Sequence, residues 1–372
     1  MSVHSTEVAE RVDALIARMS VAEKAGQLTQ YFYFNLPPSD EPGAVFSGQP
    51  AMVETALAKG EVGSLLFVTD PAEVNRLQRL AVEGNRHGIG VLFGFDVVHG
   101  LRTILPVPIA MAASWDPGVI EQGQAVAARE ARAAGIGWAF APMVDIARDP
   151  RWGRVVEGAG EDPYLGAAVA AAQVRGFQGD SLGSPDRIMA GPKHFAGYGA
   201  ALGGRDYDEV NLSDSELWNV YLPPFKAAVE AGAGNIMTAY MDLNGIPATG
   251  SHWLLAEVLR GTWGFDGFVV SDAQAVHNLR SHGFAADLTD AGARAVGIHW
   301  AFAPMVDIAR DPRWGRIVEG AGEDPWLGAA VAGMPLSGMY AVITLPAPAS
   351  TAARNGGRYT FHSWESESST SS

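Results

Sequence analysis

The chain contains no cysteine, which removes disulfides, thiolate metal sites and cysteine nucleophiles together. No apolar stretch approaches the roughly 20 residues that span a bilayer, so no membrane partner is expected. Basic residues are scarce, 26 Lys and Arg against 41 Asp and Glu for a net charge of −15, and they form no block. The electrostatic footprint of a nucleic-acid binder is therefore missing. The nine histidines include no H-E-x-x-H and no close pair at ligand spacing, so no metal is expected. Gly197-Tyr198-Gly199 is followed by Leu202 where a dinucleotide fingerprint needs glycine, and no G-x-x-x-x-G-K-[ST] loop occurs; nucleotide cofactors are not expected. The G-x-S-x-G elbow of serine hydrolases is also lacking. Met1 to Gln30 has neither the basic start nor the apolar centre of a secretory signal, which makes cytoplasmic residence the expectation.

What is present is apolar material for a large core: 48% of 372 residues are hydrophobic. Glu7 to Met19 puts Val8, Val12, Leu15, Ile16 and Met19 on one face, the pattern of an amphipathic helix laid on a core, and a second helix begins at Ser20. Short apolar runs then alternate with Ala- and Glu-rich helical stretches: Leu65 to Val68, Val91 to Phe93, Phe140 to Val144, Ile188-Met189, Ile236-Met237 and Phe268 to Val270. Runs without polar alternation suit a parallel sheet buried on both faces. A chain of such units predicts a TIM-type (β/α)8 barrel, with a doubly wound open sheet as the alternative.

Polar residues follow several of these runs: Asp96, Lys193 with His194, Tyr240, and Asp272. In a barrel these positions share the C-terminal rim of the strands and converge on one pocket. Asp272 is open to two readings, a buried reactive carboxylate or an N-cap of a helix from Ala273 to Leu279 aided by Ser271. Lys193 reads as a cation that keeps a carboxylate ionised or as half of a structural ion pair, and His194 as a site group or a satisfied core histidine. Arg148, Asp149, Arg151, Arg154, Glu157, Glu161 and Asp162 crowd one loop around Trp152. That tryptophan argues against a wholly solvated loop and for Arg154 turned toward the pocket.

The chain also repeats itself. Residues 135–170 recur as 297–332, identical except for Gly137 against His299, Val155 against Ile317 and Tyr164 against Trp326. A solenoid needs several evenly spaced copies, so a recombined chain is the better reading. The expected organisation is a barrel domain over 1–296, the duplicated block 297–332, whose Trp300 to Val306 is a candidate for the eighth strand, and an irregular tail over 333–372 that ends in a Ser-rich stretch. Without an eighth unit the barrel would have open edges prone to association.

Six segments in order, DALIARMSVAEKAGQLTQ, FGFDVVHGLRTILPVPIA, APMVDIARDPRWGRVVEGAGEDPYL, KHFAGYGAALGGRDYDEV, MTAYMDLNGIPAT and WGFDGFVVSDAQAV, resemble the β-glucosidase branch of glycoside hydrolase family 3 from about Asp13 to about Arg294. The resemblance implies an exo-acting retaining β-glycosidase, with no cofactor, whose nucleophile is Asp272. Asp96, Arg154, Lys193 and His194 would hold the terminal sugar of a β-glucoside or short β-glucan by its hydroxyls, and Tyr240 would sit against the nucleophile. Arg316 duplicates Arg154, and the sugar contact is assigned to the first copy.

Three departures qualify that carry-over. The branch generally takes its acid/base from a second, α/β sandwich domain, and nothing after Arg294 resembles one. The His-dependent β-N-acetylglucosaminidase branch has K-H-F-P-G and a later D-S-H, where this chain has K-H-F-A-G and Gly204-Arg205-Asp206. Ala273 stands where many relatives carry a Trp platform for the leaving sugar. The alternatives to a β-glucosidase are a sugar-binding remnant without turnover and a β-N-acetylglucosaminidase of the same family.

Overall fold

The computed structural model describes residues 6–34, 49–286 and, for the backbone, 340–343. The described residues include the strands β1 Thr29–Phe32, β2 Ser64–Leu66, β3 Leu92–Phe95, β4 Trp138–Ala139, β5 Met189–Ala190, β6 Asn235–Met237, β7 Asp242–Leu243, β8 Ile246–Pro247, β9 Phe268–Val270 and β10 Tyr340–Ile343. β7 and β8 form a small hairpin, and the other eight form one sheet in the order β5-β4-β3-β2-β1-β10-β9-β6. The sheet closes because the Met237 amide donates to the Pro192 carbonyl at 2.9 Å and the Phe195 amide donates to the Met237 carbonyl at 2.8 Å. The result is the expected TIM-type barrel.

β10 departs from an ideal (β/α)8 barrel: it runs antiparallel to both neighbours, pairing Gln30 with Tyr340 and Val270 with Val342. Its pairing covers the edges of β1 and β9, and it comes from a stretch expected to be irregular. The duplicated block, with Trp300 to Val306 and Arg316, lies outside the described residues.

Side chains from alternate positions fill the barrel interior: Leu66, Trp138, Phe140, Met237 and Val270, with Phe32, Leu92, Met189 and Phe268 packed on them. Trp138 meets Phe140 and Phe268 edge-on at 4.4 and 5.0 Å between centroids, a geometry that aromatic quadrupoles favour. Its indole N–H donates to Asn235 Oδ1 at 3.2 Å, which satisfies a polar atom that would otherwise be buried at a cost. Gly191 is required here, because a Cβ would stand 2.6 Å from Asn235 Oδ1 and 2.8 Å from the Ala139 carbonyl. A second, larger core lies between the strands and the helices Pro117–Ala133, Pro163–Gln178 and Pro223–Glu230. Each of the first two opens with an aspartate cap, Asp116 and Asp162, followed by proline at the first helical position, which pre-sets the helical φ where no amide partner is needed.

Two expectations change. The N-terminal helix Thr6–Ile16 forms, but Val12 and Ile16 are 45% exposed rather than laid on the core. The apolar run from Phe140 to Val144 is displaced from its strand, which is Trp138–Ala139. The run passes Pro142, which has no amide to donate to a ladder, and then lies beside the chain after β5, with the Val144 amide donating to the Lys193 carbonyl at 2.9 Å and Lys193 donating back to Pro142 at 3.0 Å.

Candidate active site

That pairing brings two strand-end loops together at the C-terminal rim and sets Asp145 against His194. Both are buried, at 2% and 1% exposure. Asp145 Oδ2 accepts two hydrogen bonds, from the His194 amide at 3.0 Å and from His194 Nδ1 at 2.8 Å. The far side of the ring, Nε2, lies 3.3 Å from an Arg154 guanidinium nitrogen and 3.5 Å from Asp272 Oδ2. Burial first, then the Arg154 and Lys193 charges, hold the His194 pKa well below the usual imidazole range, so the ring is neutral and its contact with Asp272 is not an ion pair. Burial pushes the Asp145 carboxyl up, opposed by Arg154 and the His194 amide.

Asp272 follows β9 and is buried. The amide of Ala273 donates to its Oδ1 at 2.7 Å, while Oδ2 is enclosed against the His194 ring without a hydrogen-bond donor on it. Burial raises its pKa to about 6, opposed by the Lys193 charge, the Ala273 amide, the Arg154 charge and a hydrogen bond with Tyr240. The cap reading fails: the next helix is Ala275–Ser281, its cap position is Gln274 in the left-handed region at φ 63°, and no side chain caps it. Asp272 is thus a buried carboxylate facing two cations, the environment in which a carboxyl group becomes chemically useful.

The structure gathers the remaining expected residues. Lys193 is buried, and its ammonium pairs with Asp96 Oδ1 at 2.5 Å; Asp96 is the more exposed partner, at 38%. Arg154 is gripped by both carboxylate oxygens of Glu157 at 2.8 Å, so it presents its third nitrogen to His194 as a fixed donor rather than reaching Asp272 freely. The rest of the loop is knitted by an exposed Arg151–Asp149 pair at 2.6 Å, and Trp152 is buried as its position suggested, donating to Asp206 Oδ1 at 3.0 Å. Tyr240 meets the rim residue Tyr207 edge-on at 5.0 Å.

Sequence reasoning missed Asp145, Asp206, Tyr198 and Tyr207. Tyr198 donates to Asp206 at 2.5 Å and lies under the Arg154 guanidinium, 5.7 Å from ring centre to its carbon. Asp145 carried a signal, a single carboxylate inside the apolar run Pro142 to Ala147. Asp206 and Tyr207 carried none beyond their place in a polar loop. No cluster of His, Asp and Glu among the described residues has the makings of a metal site, and no helix among them is long and apolar enough to cross a membrane.

Comparison with known proteins identifies relatives of the chain. The chain is 39% identical over 280 residues to a periplasmic β-glucosidase of Salmonella typhimurium, covering 75% of this chain and 35% of that protein. It is 36% identical to a putative β-xylosidase of Formosa agariphila, across 74% of this chain and 38% of the relative. The crystal structure of a β-glucosidase from Listeria innocua in complex with glucose superposes with a TM-score of 0.71 at 38% identity, over 77% of this chain and 40% of that one. The chain therefore spans between a third and two fifths of the length of these relatives. The model of the glycosyl hydrolase family 3 N terminal domain matches residues 20–292 and again 285–347. With the family model covering most of its length and the barrel shared with that β-glucosidase, the chain belongs to glycosyl hydrolase family 3 through its N-terminal domain.

Proposed function

We propose that this barrel carries the sugar pocket and the nucleophile of a retaining, exo-acting β-glycosidase that takes terminal β-glucosyl residues. The observation that carries the reading is Asp272, a carboxylate sealed at a strand end beside Lys193 and Arg154. In the reaction, its oxygen bonds to the anomeric carbon as the glycosidic C–O bond breaks, and water later cleaves the glycosyl ester with overall retention. Lys193 and Arg154 favour the charged form that attacks. Asp96, Arg154, Lys193 and His194 offer the donors and acceptors for the hydroxyls of one sugar, and Tyr240 braces the nucleophile. Glucose and laminaribiose are bound in structures of the Listeria protein, which supports a β-glucoside as the ligand here.

The departing sugar needs a proton. Asp96 is paired with Lys193, Glu157 with Arg154, and Asp206 already accepts hydrogen bonds from Trp152 and Tyr198. Each of these three is already engaged by a neighbouring group, and the acid/base role is assigned to none of them. A sugar-binding barrel without turnover is the alternative from a different functional class.

The test is release of nitrophenol from p-nitrophenyl β-glucoside by the purified chain, with Asp272→Ala beside it. Turnover that disappears in the variant supports the proposal, whereas glucose binding by a folded chain without turnover favours the binding reading. Cytoplasmic residence belongs to the same proposal. Fractionation that finds the chain in the periplasm, where the name of the Salmonella relative puts that protein, contradicts it.

A further inference from the structure

We infer that Asp145 is a positioning residue that fixes the tautomer of His194, keeping the ring proton on Nδ1 and turning a bare Nε2 toward Arg154 and the nucleophile. The assignment follows from what each partner can do. Arginine has five N–H donors and no acceptor, so at 3.3 Å its nitrogen can only donate to Nε2. The Nε2 lone pair must then be free, and the proton of the neutral ring resides on Nδ1, where Asp145 Oδ2 receives it at 2.8 Å. The same oxygen takes the His194 amide, so one buried atom fixes both the backbone and the ring.

The arrangement matters for Asp272. Its Oδ2 lies 3.5 Å from Nε2, close enough that a proton on Nε2 would be drawn into a hydrogen bond. Such a bond would stabilise the carboxylate, lower its pKa and weaken it as a nucleophile. With the proton held on the far side by Asp145, two lone pairs face each other and the carboxylate stays reactive. The charged or titratable groups around the ring are Asp145, Arg154, Lys193 and Asp272, with Tyr198 edge-on at 5.1 Å; those around Asp272 are Lys193, Arg154, Tyr240 and Tyr207.

The direct test is long-range proton–nitrogen correlation on the full chain labelled with nitrogen-15 histidine, the resonance being assigned by its loss in His194→Gln. Free neutral imidazole prefers the proton on Nε2, so the opposite tautomer is diagnostic. The expected result is one ring with Nδ1 protonated and Nε2 bare, unchanged from about pH 5 to about 8, the range in which an ordinary histidine titrates. Protonation on Nε2, or ordinary titration, overturns the inference.

Asp145→Ala should move the proton to Nε2. Asp145→Asn, whose amide oxygen can still accept both N–H groups, should not. A ring that keeps its tautomer in a folded Asp145→Ala, or one that flips in Asp145→Asn, overturns it too, and the second variant carries the test if the first does not fold.

A kinetic arm rests on the glycosidase reading. Asp145→Ala should lower kcat by about 10²-fold with a smaller change in KM and shift the acid limb of the rate profile to lower pH, while Asp145→Asn stays within about tenfold. An unmoved acid limb counts against the inference. Absence of turnover in the unaltered chain bears only on the proposed function, because the tautomer is read without substrate.

Discussion

The Lys193 ammonium and the Asp96 carboxylate meet at 2.5 Å although β4 lies between the strands that carry them. The pair arches over the rim and leaves the lysine buried beside Asp272, where it is the largest influence opposing the burial that raises that carboxyl to about 6. Replacing it should therefore shift the acid limb upward. In Lys193→Met, kcat/KM for an activated aryl glucoside should fall at least about 10²-fold at neutral pH, with its acid limb displaced above that of the parent, which is expected near 6. A pH–rate profile of both proteins checks the direction, and a downward displacement would remove Lys193 from this role.

Asp272 should also cost the fold stability when ionised. Its carboxyl titrates higher in the folded chain than in the unfolded one, so the native state is favoured while the group is protonated, and that advantage is lost as pH rises through about 6. Asp272→Asn should accordingly be more stable than the parent at pH near 8, by on the order of 2 to 3 kcal/mol. The gain should vanish below pH near 4, where the carboxyl is protonated in both states. Thermal unfolding at the two pH values measures it, and a gain independent of pH would mean that packing rather than charge is responsible.

Gly199 provides a test of the loop pairing that builds the site. A Cβ there would stand 2.0 Å from the Ile146 carbonyl oxygen, one residue from Asp145, and Trp152 is also close. Gly199→Ala should force the two rim loops apart, destabilising the chain by about 1 to 3 kcal/mol and reducing turnover beyond what the loss of folded protein explains. Calorimetry with kinetics on the folded fraction separates the two effects. Unchanged kinetics would show that the loops tolerate the separation.

Leaving-group dependence tests whether this chain supplies the proton donor. General acid catalysis is typically worth 10² to 10⁴-fold, and its absence is felt most by poor leaving groups. The chain should hydrolyse p-nitrophenyl β-glucoside well and cellobiose poorly, and azide should accelerate the first by attacking the glycosyl-enzyme without needing a base. Comparable efficiency on both substrates would place a proton donor in this chain after all.

The parts of this site that sequence made legible are those tied to strand ends. Asp96, Lys193, His194, Tyr240 and Asp272 each follow an apolar run, and a barrel brings such positions together whatever the intervening helices do. Asp145 escaped because its strand, Trp138–Ala139, ends earlier than the apolar run does; the continuation past Pro142 is a second rim segment rather than sheet. β1 was not anticipated because Thr29–Phe32 mixes Gln30 with aromatics, and that glutamine is buried by a 2.9 Å hydrogen bond to Ser64 that no local pattern announces. The antiparallel β10 was equally hidden, since pairing across some 70 residues of sequence from β9 leaves no periodic mark. The exposed stripe on Thr6–Ile16 shows the converse limit, that an amphipathic pattern states which face is apolar without saying what covers it.

The most direct measurement is trapping of the covalent intermediate: incubation with an activated 2-deoxy-2-fluoro-β-glucoside, digestion, and mass spectrometry of the peptides. If Asp272 attacks the anomeric carbon, one fluoroglucosyl group is expected on the peptide containing Asp272 and none in Asp272→Ala. A label on any other residue, or continued turnover of the aryl glucoside by Asp272→Ala, would contradict it.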